Sequence, residues 1–130
     1  MSEESLINKC EGFEISRFLS TNYPESTKSE IVNATIRECV DVLDKKGKDY
    51  NDPDETFSEI KAIVRSLGVS PKVILMVYLY KHLSAIFKWC RDENLESEPI
   101  SSRLTDAINY LILMNVYRVL YEEEKGSGGC

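Results

Sequence analysis

Residues 97–114 read SEPISSRLTDAINYLILM, and how this stretch is read decides the fold. Leu104, Ala107, Ile108, Leu111, Ile112 and Leu113 cover almost the whole circumference of a helix, with Asp106 and Asn109 in their midst. A helix that is apolar all round is expected to be buried. A carboxylate or amide carried inside with it needs a partner, because an unpaired buried charge costs roughly several kcal/mol or takes up a proton. The partners on offer are cationic side chains of another helix, a metal ion or a ligand. Arg103 stands one turn before Asp106 and Tyr110 one turn after it, so the three share one helix face and mark a first candidate site.

Working outward, Arg91 to Glu98 is a hydrophilic connector and Pro99 opens this last helix, which is expected to run to about Glu124. Before the connector, Ser70 and Pro71 start a helix expected to reach Cys90, apolar on most sides but interrupted by Lys81 and His82. Asp52, Pro53 and Glu55 have the cap, first-turn proline and capping-box positions of another helix, which Gly68 ends. Thr27 and Glu30 fit a second capping box, predicting a helix from about Ser29 to Lys46 with Gly47 as its left-handed stop. Residues 5–19 carry an uneven apolar pattern broken by Gly12, read as a helix or helical arm, and Asn22, Pro24 and Ser26 mark a turn after it. No stretch alternates as a strand does. The expectation is an all-α antiparallel bundle of about five helices in a single domain, 1–125, with 1–25 possible as an arm. GSGGC at 126–130 reads as a flexible tail or expression remnant. The apolar surface of the last two long helices points to a homo-oligomer.

A chain of 130 residues, 42% hydrophobic and 29% charged, has the composition of one ordinary globular domain. Its net charge of −6 gives no electrostatic footprint for duplex DNA. The start MSEESLINKCEGFE lacks the features of a signal peptide, and no apolar run reaches the length of a membrane span, so no membrane partner and a cytoplasmic location are expected. Cys10, Cys39, Cys90 and Cys130 are scattered, with only His82 to join them, and suggest neither a zinc site nor a disulfide framework.

If the helices carrying Lys81–His82 and Asp106–Asn109 are neighbours, a cation facing a carboxylate satisfies both. Such a pair serves either as a structural register device or as a ligand pocket. In the second case Arg103, Lys81 and His82 would meet phosphate, for which the planar guanidinium fork is well shaped. Asp106 and Asn109 would hydrogen-bond a base or sugar, and Tyr50, Phe57 or Tyr110 would stack. Glu55 and Glu59, one turn apart, are weak candidates with Asp106 for magnesium; otherwise no cofactor is expected. No nucleophilic triad or glycine-rich phosphate loop can be read from the spacing.

The segments KKGKDYND, Phe57, YKHLSAIF and SRLTDAINYLIL, over about Val40 to Val116, together resemble an all-helical family often carried by bacteriophages, the nucleotide-modification-associated domains. In that family a K-x-DY loop precedes a helix and a D-x-x-NY segment closes the domain. The matching positions are Lys48, Asp49, Tyr50, Lys81, Asp106, Asn109 and Tyr110. The resemblance implies a phage setting, hence the host cell cytoplasm, and a role around nucleotides. That role would be to bind or sequester a nucleotide or cyclic nucleotide-derived signal, as an anti-defence sponge, or to assist base modification. A more distant likeness is to the all-α nucleoside triphosphate pyrophosphatases, which use magnesium. Glu55 and Glu59 depart from their E-x-x-E spacing.

Overall fold

Proline and glycine punctuation sets most helix ends. In the computed structural model the described residues are 3–50, 57–95 and 97–122, with side chains described for 12–45, 57–95 and 97–122. Every regular element among them is helical: α1 (Glu3–Ser20), α2 (Glu25–Tyr50), α3 (Ser58–Leu67), α4 (Pro71–Cys90) and α5 (Ile100–Tyr117), which ends in a π-helical turn, Arg118–Glu122. The stop after α3 is as expected: Gly68 has φ +65°, and its N–H donates to the Val64 carbonyl at 2.8 Å. Such a left-handed cap suits glycine, which has no Cβ to clash. Ser70 caps α4 by accepting the Lys72 N–H, with Pro71 in the first turn. The capping box assigned to Asp52, Pro53 and Glu55 lies outside the described residues, as does 126–130.

α2 differs from the expectation at both ends. It starts at Glu25 rather than Ser29, and the Thr27 N–H donates to the Pro24 carbonyl, so Thr27 is already inside the first turn. Proline, with its fixed φ and no N–H to leave unpaired, outweighs the capping box as a start signal. At the other end the helix runs through Gly47 to Tyr50. One glycine in a helix interior costs only about 1 kcal/mol, which a long helix absorbs. The segment KGKDY is therefore helical backbone rather than a loop.

The chain divides into two units, Met1–Ala34 and Thr35–Cys130. In the first, no described side chain is buried, and Phe13, Phe18 and Leu19 are 73%, 80% and 73% exposed. In the second, Phe57, Ile60, Ile74 and Leu75 form the core where α3, α4 and α5 meet, with Tyr110, Leu113 and Tyr117 packed against it. Leu75 is fully enclosed. The α4–α5 pair is antiparallel: Tyr78 meets Tyr110, and one turn further along α4, His82 comes near Asp106, one turn back along α5.

The last helix departs from the expectation of all-round burial. Its buried positions are Arg103, Thr105, Asp106, Ala107 and Asn109, whereas Leu104, Ile108, Leu111 and Ile112 are exposed. α4 buries His82 beside the apolar Ile74, Leu75 and Leu79, and exposes Val73, Met76, Val77 and Tyr80. The reason is that charged and amide groups have stricter needs than apolar ones. The polar side chains of α4 and α5 satisfy one another when they face inward together, and over residues 103–112 of α5 that turns Leu104, Ile108, Leu111 and Ile112 out. α4 is long and apolar enough, by length and composition, to cross a membrane. Lys81, exposed near its middle, and the buried His82 beside it make it a poor span.

Candidate functional site

The inward polar faces of α4 and α5 build one cluster. Arg103, in the first turn of α5, donates from Nη1 to His82 Nδ1 at 3.3 Å and from Nη2 to Ser97 Oγ at 2.9 Å. Its Nε lies 3.5 Å from Glu98 Oε2, an ion pair without hydrogen-bond geometry. A guanidinium cannot accept, so His82 Nδ1 carries a lone pair and the ring's proton sits on Nε2. Nε2 faces Asp106 Oδ2 at 3.8 Å. One turn on, Asn109 Nδ2 donates to the Cys39 carbonyl at 3.0 Å and so ties α2 to α5. Burial and the adjacent Glu38 push the Cys39 thiol above its ordinary range, so it stays protonated and inert.

Aromatic rings close one side. Tyr110 stacks on His82 with centroids 5.6 Å apart and packs against Tyr78 at 5.5 Å. Burial first, then the charges of Asp106, Tyr78 and Glu59, push the Tyr110 hydroxyl up to about 12. Tyr78 is raised as well, by burial and then by Glu59, with which it shares a hydrogen bond. Three buried atoms of the cluster have no hydrogen-bond partner: Arg103 Nε, Glu98 Oε2 and Asn109 Oδ1.

Of the ten residues the sequence nominates for ligand binding, the structure brings together His82, Arg103, Asp106 and Tyr110, and buries Asn109 on the same helix against the Cys39 carbonyl of α2. Lys81 is exposed, on the flank of α4 away from the buried His82. Phe57 is 4% exposed and lies in a different place, the core, edge-on to Tyr117 and Tyr121. With these two tyrosines and Leu75 it lines an apolar cavity of about 240 Å³. Lys48, Asp49 and Tyr50 belong to the end of α2, and their side chains lie outside the described residues. Sequence reasoning missed Ser97, Glu98 and Tyr78. Tyr78 was within reach, four residues before His82 and therefore on its face; Ser97 and Glu98 stand in a connector whose path only the fold sets.

The metal candidates separate. Glu59 is exposed and bonded to Tyr78, and Glu55 lies outside the described residues. His82, Glu98 and Asp106 do converge, with one ligand atom of each within 4.8 Å of the others. Their chemistry does not suit a cation. Arg103 brings a permanent positive charge among them, takes the lone pair of Nδ1 and leaves the proton on Nε2, so neither ring nitrogen is free to ligate. The same tautomer argues against a hydrolytic triad, in which the carboxylate holds Nδ1–H and Nε2 faces the nucleophile.

The chain matches no protein-family model, no curated protein and no solved structure.

Proposed function

We propose that this chain is a binding protein for a small anionic ligand of nucleotide type, held at the His82–Arg103–Asp106–Asn109–Tyr110 cluster and released unchanged. The observation that carries the reading is a buried guanidinium with an unfilled valence next to stacked rings: Arg103 donates to His82, on which Tyr110 stacks, the Arg103 Nε has no hydrogen-bond partner, and Asn109 Oδ1 on the same helix has none either. A phosphate oxygen is a good acceptor for Arg103 Nε, a base or ribose donor would serve Asn109 Oδ1, and an aromatic face suits a base. Binding is favoured over magnesium-dependent pyrophosphate hydrolysis or an accessory part in base modification, because the cation place among the carboxylates is filled by Arg103. Given the resemblance to phage nucleotide-associated domains, the role that follows is sequestration of a nucleotide-derived defence signal in the host cytoplasm.

The test is to incubate the protein with nucleoside triphosphates, cyclic oligonucleotides and cyclic ADP-ribose isomers plus magnesium, then denature it and identify by mass spectrometry what was held or converted. An unchanged ligand lost in Arg103→Lys supports the proposal. A converted product makes the chain an enzyme. An empty protein leaves the second reading, which one observation favours: Arg103 already donates to His82 and Ser97. In that reading the cluster is a polar clamp fixing the register of α4 on α5.

A further inference from the structure

The cavity beside Phe57 shares no lining residue with the polar cluster of α4 and α5 and has a chemistry of its own. Its volume is about 240 Å³. Protein interiors leave few voids larger than a water molecule, and roughly 150 Å³ already admits a benzene ring. The walls hold this space open. Leu75, fully enclosed, lines it from within. The rings of Phe57, Tyr117 and Tyr121 brace one another, with Tyr121 at 6.1 Å from Phe57 and 5.2 Å from Tyr117. Tyr121 stands in the π-helical turn Arg118–Glu122, and Glu122 Oε1 lies 2.7 Å from Lys72 Nζ, which ties that turn to the start of α4. Single π-turns are rare and occur frequently at functional sites.

Lys61 and Arg65, one turn apart on α3, are the charged residues among those lining the cavity. Nearly all of its wall is apolar, so they line it with their hydrocarbon stems, and their charged heads stand at its rim. Arg65 is exposed and Lys61 half-buried. No carboxylate is among the described residues that line the cavity. Glu59, the carboxylate of α3, bonds to Tyr78. In a chain of net charge −6 this rim is a local reversal of sign.

We propose that the cavity binds an aryl carboxylate, one aromatic ring on a short arm, with the ring among Phe57, Tyr117 and Tyr121 and the carboxylate at the Lys61–Arg65 rim. Aromatic walls favour a ring, which meets them edge to face or offset. The guanidinium fork of Arg65 matches a carboxylate with two parallel hydrogen bonds, and Lys61 adds positive potential. The proposal is independent of the nucleotide reading, which concerns other residues.

Isothermal titration calorimetry of the full chain tests it, with hydrocinnamate and its neutral isostere hydrocinnamamide as probes. The wild type is expected to bind the acid with a Kd of about 1 mM or tighter, the range for a ligand of this size, and the amide about fivefold more weakly. Arg65→Gln, at an exposed position, binds the two alike. Val64→Trp, which puts an indole into the cavity that Val64 lines, loses binding of the acid. Far-UV circular dichroism verifies that both variants keep their helices. A wild type that binds neither probe, or binds both equally, overturns the proposal. So does an Arg65→Gln variant that still prefers the acid, or a folded Val64→Trp variant with undiminished affinity, which would place the probe elsewhere on the chain.

Discussion

Replacing Arg103 with methionine keeps an unbranched apolar stem and removes the guanidinium on which the polar cluster depends. Arg103 is 8% exposed, and the substitution deletes the hydrogen bonds to His82 Nδ1 and Ser97 Oγ and the ion pair with Glu98. Breaking a fully buried pair costs about 3–5 kcal/mol, but the Glu98 side chain is 43% exposed, so water takes over much of that interaction. The bond to His82 is long, and the one to Ser97 reaches a part-buried group. Charge-assisted bonds of this kind contribute about 1.5–3 kcal/mol at best. The expected loss is therefore about 2–3 kcal/mol, a large share of the 5–15 kcal/mol typical of a domain. Urea unfolding followed by far-UV circular dichroism measures it, with an unchanged m-value expected because the surface exposed on unfolding is the same. A loss below about 0.5 kcal/mol, the level of an ordinary surface substitution, would refute the argument that Arg103 satisfies Glu98, Ser97 and His82.

Tyr110 predicts an alkaline transition. Its hydroxyl is held neutral in the folded chain up to about 12, against 10.0 unperturbed, so its contribution is intact below pH 10 and is lost as pH rises from 10 to 12. Two pH units correspond to about 2.7 kcal/mol, and solvent screening of this half-buried group reduces that to about 1–2 kcal/mol. Unfolding free energies measured through this window should fall more steeply in the wild type than in Tyr110→Phe. Leu75→Ala, at the fully enclosed centre of the core, should cost about 2–5 kcal/mol in the same urea assay, whereas Leu111→Ala, 54% exposed, should change a monomeric form by less than about 0.5 kcal/mol. Added magnesium or zinc should leave the thermal midpoint of the wild type where it is, because Arg103 fills the cation place among His82, Glu98 and Asp106; a rise that saturates with metal concentration would contradict that assignment.

The sequence by itself determined the all-α class, the five helices and the ends marked by Gly68, Ser70–Pro71 and Pro99. These depend on local stereochemistry, namely left-handed glycine, the fixed φ of proline and side-chain capping, and local rules are written in adjacent residues. It also singled out Arg103, Asp106, Asn109 and Tyr110, since polar groups at fixed spacing in an apolar helix require partners wherever that helix goes. Gly47 was misjudged because a glycine stops a helix only if the chain gains by turning there, and α2 does not turn. Which face of α5 lies inward was beyond local reading: Leu104, Ile108, Leu111 and Ile112 periodically allow one burial and Arg103, Asp106 and Asn109 the opposite. Tertiary structure decided between them by bringing His82 of α4, Ser97 and Glu98 of the connector and the Cys39 carbonyl of α2 to the polar side. Buried charges and amides need particular atoms at hydrogen-bond distance, whereas apolar side chains accept any neighbour that excludes water, so the polar face fixed the packing over residues 103–112 of α5 and left Leu104, Ile108, Leu111 and Ile112 outward.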